Sequence, residues 1–132
     1  MRPEVASSVA HIDIVVTPEM VARLGDEVLH PVYSTFWLCY HAEVAARRAI
    51  EPYFEGDDNA CGTALSMSHK AMAAVGASVR ITARVVSVIG NRITCDIQAC
   101  ISGTDIVLAT GEQQQAVLPT TRLAELAASA HR

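Results

Sequence analysis

Glu43 is the only carboxylate between Thr35 and Ile50, a stretch (TFWLCYHAEVAARRAI) that is otherwise almost entirely apolar until Arg47. At helical spacing its neighbours are Cys39, Tyr40, Ala46 and Arg47. A carboxylate held away from water is costly unless it is paired or protonated. Two readings follow: Glu43 lies on a solvent edge or pairs with Arg47 four residues on, or it is a catalytic carboxylate held by a buried helix. His69 is the second unusual residue, in phase with Leu65 and Met67 on an alternating segment. It reads either as a hydrogen-bonded core histidine or as the acid–base partner of a carboxylate. Gly62-Thr63 opens the same segment. A glycine there is either a simple turn exit or a place where backbone approaches a ligand and an N–H meets a developing oxyanion. Thr35 can cap a helix, attack as a nucleophile or hold a water. On one regular helix Thr35 and Glu43 stand about 12 Å apart along the axis. Either Thr35 precedes the helix and folds back, or two chains supply the two groups.

The elements that must position these residues are legible in outline. Ser34–Phe54 reads as one long helix, capped by Ser34 or Thr35 and ending near Glu51, ahead of Pro52. Because it is apolar nearly all round, it is expected to be buried. Residues 9–16 read as a strand, with a short helix from Thr17-Pro18 through Arg23. Gly25–Tyr33 is expected to be a loop, a possible lid over a site. After a polar turn at 55–59 come four strands: 61–71, 79–89, 91–101 and 105–118, the last with a bulge at Gly111. Gly90-Asn91 suits a two-residue hairpin turn. A terminal helix over 120–130 is expected to turn Leu123 and Leu126 inward. A meander is antiparallel, and one apolar sheet face needs cover, which only the long helix can supply. The fold class is α+β: an antiparallel sheet wrapped around one central helix, the hot-dog arrangement, as a single domain over 1–132. Open sheet edges make a homodimer joined edge to edge reasonable.

Composition narrows the function. The 132 residues are 51% apolar and carry a net charge of −4 with no basic block, which argues against nucleic acid. No apolar run reaches the ~20 residues of a membrane span, and the N-terminal stretch lacks a signal-peptide pattern; the cytoplasm is the expected location. Cys39, Cys61, Cys95 and Cys100 have no CxxC spacing and read as small buried hydrophobes. The five histidines show no metal-ligand pattern, so no metal is expected.

The segment Thr35–Val117 resembles the fluoroacetyl-CoA thioesterase-like family of hot-dog proteins. The similarity is carried by TFWLCYHAE, RAIEPYFEG, GASVRITARVVSVIGNRITCDIQA, GEQQQAVL and above all CGTALSMSH, which sets a glycine seven residues before a histidine. The resemblance implies hydrolysis of an acyl-CoA thioester at a dimer interface without metal or cofactor, coenzyme A being present only as part of the substrate. It implies a catalytic set of Thr35, Glu43 and His69, with the Gly62 N–H contacting the acyl group. Two departures qualify it. Gln115 stands where the fluoroacetyl enzyme has an arginine, and GDEVLHPVY lacks that enzyme's lid phenylalanines. Fluoroacetyl selectivity is therefore not expected. A non-catalytic acyl-CoA or small-ligand binding module, and a hydratase or dehydratase, are the competing readings.

Overall fold

Ser34, not Thr35, caps the long helix: its Oγ accepts the Trp37 N–H at 3.1 Å. Thr35 thereby becomes the first helical residue, with its hydroxyl free for another partner. In the computed structural model, which describes residues 1–132, the helix α1 runs Thr35–Ile50 and continues as a single 3-10 turn, Glu51–Tyr53. The strands are β1 (Val9–Val15), β2 (Val21–Leu24), β3 (Glu27–Tyr33), β4 (Asp58–His69), β5 (Ser78–Ile89), β6 (Arg92–Ile101) and β7 (Val107–Pro119), followed by α2 (Thr120–Ala128). Five strands form one antiparallel sheet in the order β1-β5-β6-β7-β4, and β2 pairs only with β3. The helix packs on the inner face of the sheet, which is the hot-dog arrangement.

The core sits between α1 and that face. Leu38, Ala42, Ala45, Ala46, Ala49 and Ile50 on the helix are fully buried, as are Val79, Ile81, Ala83, Cys95 and Ala99 on the sheet. Four alanines on the buried face let the helix lie close to the strands without large side chains between them. The strand alternation expected for β5 and β6 holds. Cys95 alone of the four cysteines is buried, and its thiol is pushed up to about 11 by that burial.

Several expectations are corrected. The segment read as a short helix and a loop is a β-hairpin: one 3-10 turn, Pro18–Met20, leads into β2, and Gly25-Asp26 turns the chain into β3. Gly25 sits at φ +59, a conformation only glycine adopts freely. Gly111 is not a bulge, since β4 and β7 pair through it in register. It is instead a close approach: a Cβ there would stand 2.0 Å from the Ser66 carbonyl oxygen. The bulge falls at Thr63, between the pairs Gly62–Gln115 and Ala64–Gln114. It reverses the strand's phase, which is why Cys61 is exposed rather than buried. The helix is not buried all round in one protomer, because Phe36 (74% exposed) and Tyr40 (53%) face outward. In α2, Leu126 is exposed instead of packing inward; this helix is held by Asp57, whose carboxylate accepts from the Thr121 N–H and hydroxyl. No helix is long and apolar enough to cross a membrane.

Candidate active site

The bulge at Thr63 settles a problem of parity. Gly62 and His69 are seven residues apart, an odd number, so on a regular strand they would face opposite sides of the sheet. One extra residue between them turns both toward α1. At one end of β4, His69 Nδ1 lies 2.9 Å from Thr35 Oγ1. Its other ring nitrogen, Nε2, is buried without a hydrogen-bond partner in the chain. Near the middle of the strand, Gly62 lies under Glu43: a Cβ on residue 62 would be 2.9 Å from Glu43 Oε2 and 3.4 Å from Oε1. The glycine leaves room for the carboxylate.

Glu43 is half-buried and does not pair with Arg47. That guanidinium is engaged elsewhere: Nε bonds Glu51 Oε2 at 2.7 Å, and the other nitrogens bond Asn59 Oδ1 and the Ala60 carbonyl at 2.8 and 3.1 Å. Glu43 Oε2 instead accepts from Gln113 Nε2 at 3.0 Å. Gln113 is 1% exposed, and its carbonyl Oε1 has no partner in the chain. Sequence reasoning did not single it out, although a detectable signal was present. Gln113 and Gln115 occupy the inward phase of β7, and amides on a core-facing phase need a partner. Gln115, the residue in the arginine position of the fluoroacetyl enzyme, is also buried and donates to the Ala46 carbonyl at 3.1 Å. It braces the helix against the sheet.

Behind His69 lies a second buried pair. Tyr33 and His41 are 1% and 6% exposed, with the phenol oxygen 2.6 Å from His41 Nδ1. Burial pushes the phenol up, well beyond its ordinary range, and pushes the imidazole down. The phenol therefore keeps its proton and the imidazole is held neutral, and the two share one hydrogen bond. The Tyr33 ring meets His69 edge to face at 6.5 Å between centroids, which fixes one side of the imidazole.

A cavity of about 280 Å³ opens beside Thr35 and His69, walled by His30 and Val32 of the hairpin and by Lys70 and Met72. The hairpin is anchored to the segment after β4 by the Tyr33 N–H to Ala73 carbonyl bond of 2.8 Å and by a bridge between Val32 and Ala74. The segment expected as a loop and lid is thus an ordered wall.

Within one protomer, then, the four positions form two half-sites: Thr35 with His69, and Glu43 with Gly62. Thr35 lies inside the helix, so it does not fold back, and about 12 Å of helical rise separates it from Glu43.

The family model for the fluoroacetyl-CoA-specific thioesterase (FlK) matches residues 16–121. The chain belongs to this family. Fluoroacetyl-CoA thioesterase of Streptantibioticus cattleyicolor is 32% identical over 87 residues, which span 66% of this chain and 61% of that enzyme. Among solved structures, a thioesterase superfamily member from Thermus thermophilus superposes with a TM-score of 0.92 at 33% identity, covering 97% of this chain and 93% of that one. A variant of FlK solved in complex with acetyl-CoA gives 0.83 at 25% identity, over 99% of this chain and 100% of that one. Membership of the FlK family makes the chain a thioesterase-family protein with the hot-dog fold, and leaves its own acyl substrate and catalytic residues to be argued from its side chains.

Proposed function

We propose that the chain hydrolyses a small acyl-CoA thioester at a site completed by two protomers, using Thr35, Glu43, His69 and the backbone of Gly62. The observation that carries this reading is the division of those four positions into two half-sites, set seven residues apart on one strand with an open edge. β4 is an outer strand of the sheet, twelve residues long, and its segment Cys61–Ser68 carries no charge to discourage pairing. On α1 the exposed Phe36 and Tyr40 stand seven and three residues before Glu43, and so on the flank of the helix whose carboxylate rests on Gly62 of β4. An open edge and an apolar stripe on the same flank both favour a second copy of this chain, packed strand to strand and helix to helix.

Register decides whether such a dimer completes the site. If the two β4 strands pair about a two-fold axis at Ser66, Leu65 faces Met67 of the partner subunit. Beyond Ala64 the bulge skips one residue, and Gly62 comes opposite His69 of the partner subunit. Residues directly opposed on antiparallel strands are about 5 Å apart and share a face. Glu43, resting on Gly62, then meets the partner's imidazole. A shift of the axis by one residue loses this alignment. Ser66→Cys is accordingly expected to form an inter-subunit disulfide on mild oxidation, since the two sulfurs would face each other across the axis. Non-reducing electrophoresis should show a covalent dimer absent from the parent protein. A solution dimer of Ser66→Cys that does not cross-link would mean that the strands pair in another register.

In the proposed reaction, Glu43 is the attacking or activating carboxylate. The Thr35–His69 pair orients water or relays a proton to the departing thiolate, and the Gly62 N–H meets the oxyanion. The cavity beside Thr35 holds the acyl group, and its 280 Å³ supports a short one. The direct test is thiol release over a panel of acyl-CoAs. Binding with no thiol released would make the protein a ligand-binding module, and loss of enoyl absorbance without free thiol would make it a hydratase. Gly62→Ala should fold normally, because the group its methyl meets at 2.9 Å is the mobile end of Glu43. It should also displace that carboxylate and lower kcat by about 10²-fold. A thermal melt and a turnover assay check both halves.

A further inference from the structure

We infer that the acyl group of the substrate ends in a carboxylate, held at the mouth of the cavity beside Thr35 and His69 by Lys70 and His30. The inference rests on the site proposed above and names its substrate class: coenzyme A thioesters of short dicarboxylic acids. Charge sets this cavity apart. Three other cavities each place an acid beside their base: Arg84 with Asp96 and Glu112, Arg2 with Asp58, and Arg23 with Glu19. The cavity beside Thr35 is lined by Lys70, His30 and His69 and by no carboxylate, in a chain whose net charge is −4. Lys70 takes part in none of the chain's ion pairs.

Two backbone irregularities bring these groups to one mouth. At the end of β4 the Lys70 and Ala71 N–H groups both bond the Leu108 carbonyl, at 2.6 and 3.2 Å. Strand alternation stops there, and the consecutive residues His69, Lys70, Ala71 and Met72 all line the cavity. In the hairpin, Pro31 and Val32 are inserted between the pairs Val21–Tyr33 and Ala22–His30. That bulge sets His30 across from Ala22, and both line the same cavity. Lys70 adjoins His69 in the chain. A thioester at His69 keeps its phosphates a full pantetheine arm away, so the anion within reach of the ammonium is one on the acyl group. Both basic side chains are exposed. A carboxylate between them stays partly hydrated while it accepts a charge-assisted hydrogen bond from the ammonium and another from the imidazole, which carries an N–H in either protonation state. An acyl group ending in a methyl gains neither bond.

The test compares succinyl-CoA with butyryl-CoA, which share every phosphate and differ only in a terminal carboxylate or methyl. With uncatalysed hydrolysis subtracted, kcat/KM of the parent should be roughly ten-fold or more higher for succinyl-CoA, the worth of one hydrogen bond to a charged group. Lys70→Met keeps the side chain's length and removes its charge. It should lower kcat/KM for succinyl-CoA about ten-fold more than for butyryl-CoA. His30→Leu should act in the same direction, and Lys70→Glu should reverse the preference. Equal losses on both thioesters would place the ammonium on the phosphates and overturn the inference. A parent that favours butyryl-CoA, or treats the two alike, would do the same. Those results leave the thioesterase reading intact, because thiol is still released. If neither thioester releases thiol, that reading fails, and titration calorimetry with the same pair decides this inference alone. Binding of succinyl-CoA about ten-fold tighter than butyryl-CoA, lost in Lys70→Met, supports it, and equal affinities overturn it.

Discussion

Glu43→Ala and His69→Ala are each expected to lose about three orders of magnitude in kcat toward the preferred acyl-CoA, the range over which positioned acid–base groups act. Neither side chain belongs to the buried core: Glu43 and His69 are both half-buried, and the only hydrogen-bond partner of His69 in the chain is the surface hydroxyl of Thr35. Folding should survive both changes. Glu43→Ala leaves the Gln113 amide without its acceptor, a cost of about 1–3 kcal/mol. Glu43→Gln keeps an oxygen in that place, so it separates lost chemistry from lost packing: it should melt close to the parent and be just as inactive. Thermal unfolding beside a thiol-release assay distinguishes the two effects.

The largest structural effect is expected at Gly111. A methyl group there would lie 2.0 Å from the Ser66 carbonyl oxygen and 2.5 Å from Met67 Sδ. The sulfur can swing away, but the carbonyl is backbone and can move only if β4 moves relative to β7. Gly111→Ala should therefore cost roughly 4 kcal/mol or more, at the top of the range for single substitutions. Domains of this size have about 5–15 kcal/mol in total. Urea denaturation should show a markedly lower midpoint. Because Ser66 lies at the proposed two-fold axis, the variant should also weaken dimerisation. A melting curve like the parent's would mean that the two strands separate more easily than their ladder implies.

The parts of the fold that the sequence displays are those governed by local periodicity. The α1 stripe, the β5 and β6 alternation and the Gly90 turn each depend on neighbours within a few residues. The β2–β3 hairpin escaped because Pro31 in VLHPVY argues against a strand, yet an outer strand tolerates it. The Thr63 bulge depends on the ladder with β7, a partner some fifty residues distant, so no local pattern reports it. Only the odd spacing of Gly62 and His69 hinted that the phase must change. Phe36 and Tyr40 read as part of a buried helix because an apolar side chain does not by itself distinguish a core position from an exposed one. The site was only partly legible. Residue types alone left Glu43 and His69 open between structural and chemical roles, and the family resemblance selected the chemical one. Gln113 goes unremarked because its significance lies in the Glu43 carboxylate it donates to, which only the packing of α1 on the sheet brings beside it.

The central claim is that Glu43 of one protomer works with His69 of the partner subunit, and mixing two inactive proteins tests it most directly. Glu43→Ala and His69→Ala, tagged differently, unfolded together and refolded, should re-pair at random. About half of the dimers would then be mixed, each with one site that has lost both groups and one that is whole. Thiol release should recover to about a quarter of the parent's rate, and to about half in the purified mixed dimer. A mixed dimer as inactive as either variant alone would contradict the shared site.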